Sequence, residues 1–295
     1  LAPSTVYDYK RIFRLYLEKP LGVLRVSAIT KADAEKVVAS AFAKHDPQKG
    51  QRGLQATKAL KLLSSICEWA IDRGHITANP CRGVEQPAPE RNPKGKQSRP
   101  PTDDELRQLW LDGPGEMHMD ETRVLRLCVL FGRRISEIAR TEASNVRLTD
   151  KPPVLVIPAD RPGNKSKRED MVPLPPLACA IFKELLAENK PRFMGIASRR
   201  EQASKALTAA RREWGWPGRV RFHDLRGLVN DQLSKMQVPS ETRSRVFAHY
   251  GDLTALVDST YSAFDFMSEK LRALALWEKR LLEIVRGKKP SGLRW

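Results

Sequence analysis

Residues 222–251 read FHDLRGLVNDQLSKMQVPSETRSRVFAHYG and combine an apolar helical pattern with two segments that contain histidine. His223 and Arg226 lie three residues apart, so on a helix they share one face, which the neighbouring apolar residues can anchor. A histidine beside an arginine is also a common surface pair without any role. The stretch predicts helices over about 224–236 and 240–248 and leaves the role of its histidines open.

A second unusual segment, FGRRISEI at residues 131–138, ends an apolar run that predicts a buried helix over 124–131. A glycine directly after such a helix breaks it and lets the backbone turn. We therefore expect Arg134 at the start of the next helix, with Glu137 one turn further along. An arginine near a helix start is usually just solvated, so this segment alone does not decide a function.

Between these two segments the sequence predicts a β-hairpin. The apolar runs VLVIP at 154–158 and MVPL at 171–174 bracket a glycine–asparagine turn signal. The tip carries Lys165 and Lys167. Basic hairpin tips usually lie in solvent, but they also suit contact with a DNA backbone.

The pattern divides the chain into two domains. Apolar residues recur at helical spacing through residues 1–85, whereas residues 86–101 hold several prolines and charges and almost no apolar residue larger than alanine. The latter composition is typical of a linker. Thr102 and Glu105 predict a capping box that opens a second domain, residues 102–295. The expected fold is mainly α, with a small β-hairpin or sheet in the second domain.

The charge of the chain indicates a polyanionic partner. The 295 residues include 52 Lys and Arg against 35 Asp and Glu, which gives a net charge of +17. Such a surplus favours nucleic acid, and its spread along the whole chain disfavours a membrane surface. No apolar run approaches the ~20 residues of a membrane span. The 4 cysteines fit no zinc pattern and agree with a reducing cytoplasm.

Together and in this order, FGRRISEIA, HDLRG, FAHYG and STYSAFDF resemble the active-site segments of the tyrosine recombinase, or phage integrase, family. The stretch that follows is similar to prophage-type integrases, which have an aromatic and acidic segment, then Glu-Lys and a Trp-bearing helix. The resemblance covers about residues 125–285 by motif. The N-terminal region is similar to the family's core-binding domain only in its helical character.

The resemblance implies a catalytic set made of Arg134, Lys165, His223, Arg226, His249 and Tyr261. The arginines would neutralise the scissile phosphate, and Tyr261 would attack it while His223 takes the phenol proton. The hairpin lysine would protonate the leaving 5′-oxygen, and His249 would hydrogen-bond a phosphate oxygen. Lys167 remains an alternative to Lys165, and Tyr250 an alternative to Tyr261.

This chain departs from the family pattern at three places, one of which is the gap from His249 to Tyr261, a few residues longer than usual. The family usually has Thr-Gly before its first arginine, where this chain has Phe131-Gly132. It more commonly has Leu-Gly-His, where this chain has Ala248-His249.

The resemblance also implies an activity and partners. It implies a two-domain DNA clamp, with a helical core-binding domain and a catalytic domain, that needs no cofactor or metal. A homotetramer would recombine double-stranded DNA at attachment core sites, integrating or excising a prophage or genomic island. It would work in the cytoplasm of a bacterial or phage-infected cell, with a DNA-bending accessory protein or an excisionase. A type IB topoisomerase and a non-catalytic DNA-binding relative are the alternatives.

The apolar residues after Tyr261 predict a helix over about 268–286 and leave two alternatives open. The helix packs on its own domain, or, as the family implies, the tail docks on a neighbouring protomer.

Overall fold

The chain separates into two compact units, Leu1–Lys96 and Gln97–Trp295. The division falls inside the segment predicted to be a linker, residues 86–101. The computed structural model describes residues 3–44, 52–86, 98–117, 119–161, 164, 168–188, 199–248 and 266–295.

The N-terminal unit is helical in its described parts, as predicted. Its α3 begins with a capping box, in which Thr30 Oγ1 accepts from the Asp33 amide at 3.3 Å. Alanine, valine and leucine side chains between α3 and α4 form its core. Its elements are α1 (Pro3–Ile12), a π-helical turn (Phe13–Leu17), α2 (Glu18–Leu21), a 3-10 turn (Val26–Ala28), α3 (Lys31–Ala43) and α4 (Arg52–Asp72).

The second unit opens with the predicted capping box. Thr102 Oγ1 accepts from the Glu105 amide at 3.2 Å, and the Glu105 carboxylate accepts from the Thr102 amide at 2.8 Å. Among the helices of the described ranges, none is both long and apolar enough to cross a membrane. The elements are α5 (Asp103–Leu111), α6 (Gly113–Glu116), α7 (Met119–Phe131), α8 (Ile135–Ile138), a 3-10 turn (Ala143–Asn145), β1 (Val146–Arg147), β2 (Val154–Ile157), β3 (Asp170–Pro173), α9 (Pro176–Ala187), α10 (Arg199–Glu213), α11 (Phe222–Lys235), α12 (Ser240–Val246) and α13 (Met267–Val285).

A small antiparallel sheet lies beside these helices, in the order β1-β2-β3. The predicted hairpin is confirmed, and its register pairs Val154 with Pro173 and Ile157 with Asp170. Strand β1 was not predicted, because two residues are too few to show an alternating pattern. All of β2 is buried, since one of its faces joins the main core and the other packs with Met267 of α13.

The C-terminal helix α13 packs on its own unit. Its Trp277 is fully buried, and the indole Nε1 donates to the carbonyl of Val129 in α7 at 2.9 Å. Leu274, Leu281 and Ile284 are buried in the same core. The first alternative is therefore confirmed. Docking of the tail on a neighbouring protomer stays a prediction.

The carboxyl group of Glu278, on α13, is buried and contacts the start of another helix. Its Oε2 accepts a hydrogen bond from the Leu177 amide in the first turn of α9 at 3.0 Å. Burial raises the pKa of this carboxyl, and the hydrogen bond from Leu177 partly opposes that effect. The charged form of Glu278 is therefore less favourable in the folded protein than in the unfolded chain.

We expect Glu278→Gln to stabilise the protein at neutral pH. Because the folded-state pKa of Glu278 is raised, its contribution to stability is present below the unfolded pKa and is lost as pH rises through the folded pKa. Glutamine keeps an acceptor for Leu177 and cannot ionise. Urea unfolding from pH 4 to 8 should show a gain at pH 7 that disappears at the acidic end. Glu201→Gln, at an exposed position of α10, is the control and should show no such trend. A gain independent of pH would contradict this account.

Candidate active site

Gly132 ends α7 and turns the chain into the segment that holds Arg133 and Arg134. Its φ is +59°, a left-handed conformation that glycine adopts without strain. A Cβ atom at this position would clash with the Phe247 ring and lie 3.1 Å from Val229 Cβ. The predicted helix break is confirmed, and Arg134 is the N-cap residue of α8, also as predicted.

The carboxylate of Glu137 fixes both arginines. Its Oε1 accepts from Arg134 Nη1 at 2.8 Å, and its Oε2 accepts from Arg133 Nε at 2.9 Å and from the Arg134 amide at 3.2 Å. Glu137 is 0% exposed. A buried carboxylate with these charged donors holds them in a defined geometry.

The two arginines differ in burial. The Arg133 side chain is 2% exposed, its Nη1 donates to the Val246 carbonyl at 2.9 Å, and its Nη2 lies 2.7 Å from Asp170 Oδ2. The Arg134 side chain is 24% exposed. Arg134 is therefore the one of the two that has surface to offer a ligand, and its catalytic assignment stays a prediction.

The helix α11 carries the next two predicted site residues. It begins at Phe222, two residues earlier than predicted, so His223 lies in its first turn. Phe222 and Leu225 are buried and anchor the helix, as expected. His223 is exposed, whereas Arg226 on the following turn is only 5% exposed.

Arg226 joins the α7–α8 junction to the end of α12. Its Nη1 donates to the Gly132 carbonyl at 3.1 Å, its Nη2 donates to the Phe247 carbonyl at 2.5 Å, and its guanidinium lies 5.0 Å from the Phe247 ring centroid. Burial lowers the pKa of Arg226 to about 10, with further lowering by the charges of Arg134 and Arg133 and opposition from Glu137. Arg226 is still charged at neutral pH, so positive charge is concentrated here and favours an anion.

The start of α11 is held by a residue of the predicted linker. The Asp224 carboxylate accepts from the Arg221 amide at 2.7 Å and from the hydroxyl of Ser98. Ser98 also forms a parallel bridge with Arg219. This connection was not predicted, since nothing in the segment around Ser98 indicates a partner more than 100 residues away.

Ala248 has an unusual backbone. Its φ is +47°, in the left-handed region that disfavours residues with a Cβ atom. This is the position where the family more commonly has glycine. The conformation gives a physical reason for that preference, and this chain accepts the strain of an alanine.

The base of the predicted hairpin tip is tied to α8. Arg161 is buried, its Nη1 donates to the Glu137 carbonyl at 2.9 Å, and its Nη2 donates to Asn145. The amide of Asn164 donates to the carbonyls of Pro158 and Arg168 at 2.9 and 2.8 Å. The hairpin therefore leaves the sheet close to the segment that carries Arg134. Nothing in the local sequence indicates that Arg161 is buried rather than part of the basic tip.

Several predicted site residues lie outside the described residues, and their placement stays a prediction. They are Lys165, its alternative Lys167, His249, Tyr261 and the alternative nucleophile Tyr250. Of the predicted set, the structure brings Arg134 and Arg226 together and puts His223 one turn before Arg226. Within the described part of the chain, no group of three or more His, Cys, Asp or Glu side chains is arranged to hold a metal ion.

Solved structures of integrases share the architecture of this chain. The Tn1549 transposon integrase in complex with transposon right end DNA has a TM-score of 0.66 at 13% identity, over 96% of this chain and 95% of that one. The chain has the tyrosine recombinase fold. A lambda integrase dimer bound to a COC′ core site has a TM-score of 0.62 at 16% identity, over 85% of this chain and 90% of that one. A lambda integrase tetramer bound to a Holliday junction has a TM-score of 0.61 at 18% identity, over 85% and 73% of the two chains.

The sequence itself matches no protein-family model and no curated protein. The tyrosine recombinase fold is thus reached here by a sequence that shares few residues with the integrases of known structure. At such low identity the likeness shows the fold alone, and any activity has to be argued from the residues of the site.

We expect Ala248→Gly to stabilise the protein by about 1 kcal/mol, because glycine relieves the left-handed strain and loses only part of that gain to chain entropy. Urea unfolding of the wild type and the variant measures the difference. Ala209→Gly, at an exposed position inside α10, is the matched control and should cost about 1 kcal/mol. Destabilisation by Ala248→Gly would show that the backbone at this position is not strained.

Proposed function

We propose that the protein is a site-specific DNA recombinase of the tyrosine recombinase family, which cleaves and rejoins duplex DNA through a 3′-phosphotyrosine intermediate. The observation that carries the proposal is the convergence of Arg134 and Arg226 from separate elements. The charge of Arg134 is, after burial, the largest cause of the lowered pKa of Arg226. The integrase fold and the net charge of +17 agree with a DNA substrate.

The two arginines would bind the scissile phosphate. A guanidinium can donate two parallel hydrogen bonds to phosphate oxygens and keeps its charge at every relevant pH. The negative charge on the non-bridging oxygens grows as the phosphorus becomes pentacoordinate. Arg134 and Arg226 are already held in place by Glu137 and by backbone carbonyls, so little reorganisation is needed when that charge develops.

The remaining groups would move protons. The phenol oxygen of Tyr261 attacks phosphorus and forms the new P–O bond, while His223 accepts the phenol proton. The bond to the 5′-oxygen breaks, and Lys165 delivers the proton that this oxygen needs. His249 hydrogen-bonds a non-bridging oxygen. The phosphotyrosine linkage conserves the energy of the original diester, so a second 5′-hydroxyl can reverse these steps without ATP.

We further propose the assembly in which this chemistry occurs. Residues 1–85 would form a core-type DNA-binding domain and residues 102–295 the catalytic domain, both on duplex DNA at attachment core sites. Four protomers would exchange strands in two steps, and the lambda integrase tetramer bound to a Holliday junction supports this. The reaction would integrate or excise a prophage or genomic island, with a DNA-bending protein or an excisionase as partner, on DNA in the bacterial cytoplasm.

Tyr261→Phe should abolish covalent attachment to DNA and leave DNA binding nearly unchanged, because it removes the attacking oxygen alone. A pool of nicked suicide duplexes with a randomised central sequence serves as substrate, because the attachment site that the protein cleaves then need not be known in advance. Covalent complexes are detected after denaturation in detergent, and their DNA is sequenced to give the cleaved site.

Tyr250→Phe is the matched control and should react like the wild type. Loss of attachment in the Tyr250 variant but not in the Tyr261 variant would move the nucleophile to Tyr250. Relaxation of supercoiled plasmid by the wild type, without any preferred sequence among the trapped duplexes, would point to a type IB topoisomerase.

Covalent attachment should persist in excess EDTA, because two guanidiniums supply the positive charge that neutralises the phosphate. The same suicide duplexes, with and without EDTA, give the comparison. Attachment that is lost in EDTA and restored by Mg²⁺ would overturn the assigned roles of Arg134 and Arg226.

A further inference from the structure

A continuous series of charged side chains, here called the relay, runs from α13 to the segment between α7 and α8. Lys270 Nζ lies 3.2 Å from Asp170 Oδ1, and Asp170 Oδ2 lies 2.7 Å from Arg133 Nη2. Arg133 Nε donates to Glu137 Oε2 at 2.9 Å. Glu137 Oε1 accepts from Arg134 Nη1 at 2.8 Å. Helix α13 and strand β3 are thereby connected to the arginine proposed to bind phosphate.

The first four residues of the relay, from Lys270 to Glu137, are buried, and only Arg134 at its other end has substantial exposure. Buried ion pairs are weak evidence for stability, because an apolar set of similar volume often stabilises a fold as well or better. They are well suited to fix geometry, since each buried charge depends on the oppositely charged group next to it. These buried ion pairs are therefore better explained by a role in orienting Arg134 than by a contribution to stability.

Glu137 is shared between two arginines, and one of them, Arg133, is also paired with Asp170. With Asp170 in place, the Arg133 guanidinium pairs with one carboxylate on each side. Without the charge of Asp170, the pull of Arg133 toward Asp170 would be lost, and Arg133 would tend to engage both oxygens of Glu137, which is the preferred geometry of such pairs. Arg134 would then lose its partner.

We propose that Asp170 and Lys270 are positioning residues, which act through Arg133 and Glu137 to keep Arg134 in the orientation that neutralises the scissile phosphate. The inference rests on the proposed function, because it requires that Arg134 binds the phosphate. Lys270 lies nine residues after Tyr261 in the chain. The same relay thus connects the segment that follows the nucleophile to the phosphate-binding arginine.

The double substitution Asp170→Asn with Lys270→Met tests the proposal, because it removes one negative and one positive charge together. Asp231→Asn with Lys235→Met is the matched control. Lys235 Nζ lies 2.8 Å from Asp231 Oδ2 on α11, and the Asp231 and Lys235 side chains are 55% and 65% exposed. The control substitutions therefore remove one negative and one positive charge outside the relay. The substrate is the duplex selected from the suicide pool. It is made with either an ordinary phosphodiester or a methylphosphonate at the cleaved position.

The methylphosphonate lacks one charged non-bridging oxygen, so the orientation of Arg134 matters less for its cleavage. We expect the double variant to attach to the phosphodiester about tenfold more slowly than the wild type. The double variant should be slowed clearly less on the methylphosphonate than on the phosphodiester. Arg134→Ala should show the same difference between the two substrates. The control pair should react like the wild type on both. An unchanged rate on the phosphodiester, or equal slowing on both substrates, would overturn the proposal.

Thermal unfolding of each variant shows whether the fold is kept. If the double variant has no cooperative transition, Asp170→Asn with Lys270→Gln replaces it under the same criteria, because the two amides remove both charges and keep hydrogen-bonding groups at both positions. A wild-type protein that attaches to neither substrate would instead overturn the proposed function, so the two failures are distinguishable.

Discussion

The buried carboxylate of Glu137 is the group on which the geometry of the candidate site depends. It accepts from both Arg133 and Arg134, and the Glu137 carbonyl accepts from Arg161 at the base of the hairpin. Breaking a buried ion pair typically costs about 3–5 kcal/mol, because an uncompensated charge is left behind. The α7–α8 junction is therefore restricted to an arrangement in which Arg133 points inward and Arg134 toward the surface.

The same junction holds more positive than negative charge. Arg226 is buried next to Arg134, and its guanidinium donates to the carbonyls of Gly132 and Phe247. This is possible because Gly132 has no Cβ, so Phe247 can pack directly against the turn. An anion neutralises the excess positive charge of this junction better than water does, which agrees with the proposed phosphodiester substrate.

Much of the fold could be predicted because its elements are long and have regular apolar spacing. The longer helices, the hairpin and the capping box at Thr102 follow from local patterns. Strand β1 could not be predicted from two residues. Nor could the sequence show that Lys270 and Arg133 are buried, since periodicity identifies apolar faces and says nothing about which charged residues find partners inside. The ambiguity over the C-terminal helix had the same origin, because its apolar face fits a neighbour as well as its own unit.

By itself, the sequence determined the residue types and their order along the chain: a glycine turn with two arginines, a His-x-x-Arg helix, a basic hairpin and a tyrosine after the last histidine. These are local properties of the chain. Only the tertiary structure decided which arginine is exposed and which carboxylate orients it. That choice depends on contacts between Glu137, Asp170 and Lys270, which lie far apart in sequence and become neighbours only when α13 and β3 pack beside the α7–α8 junction.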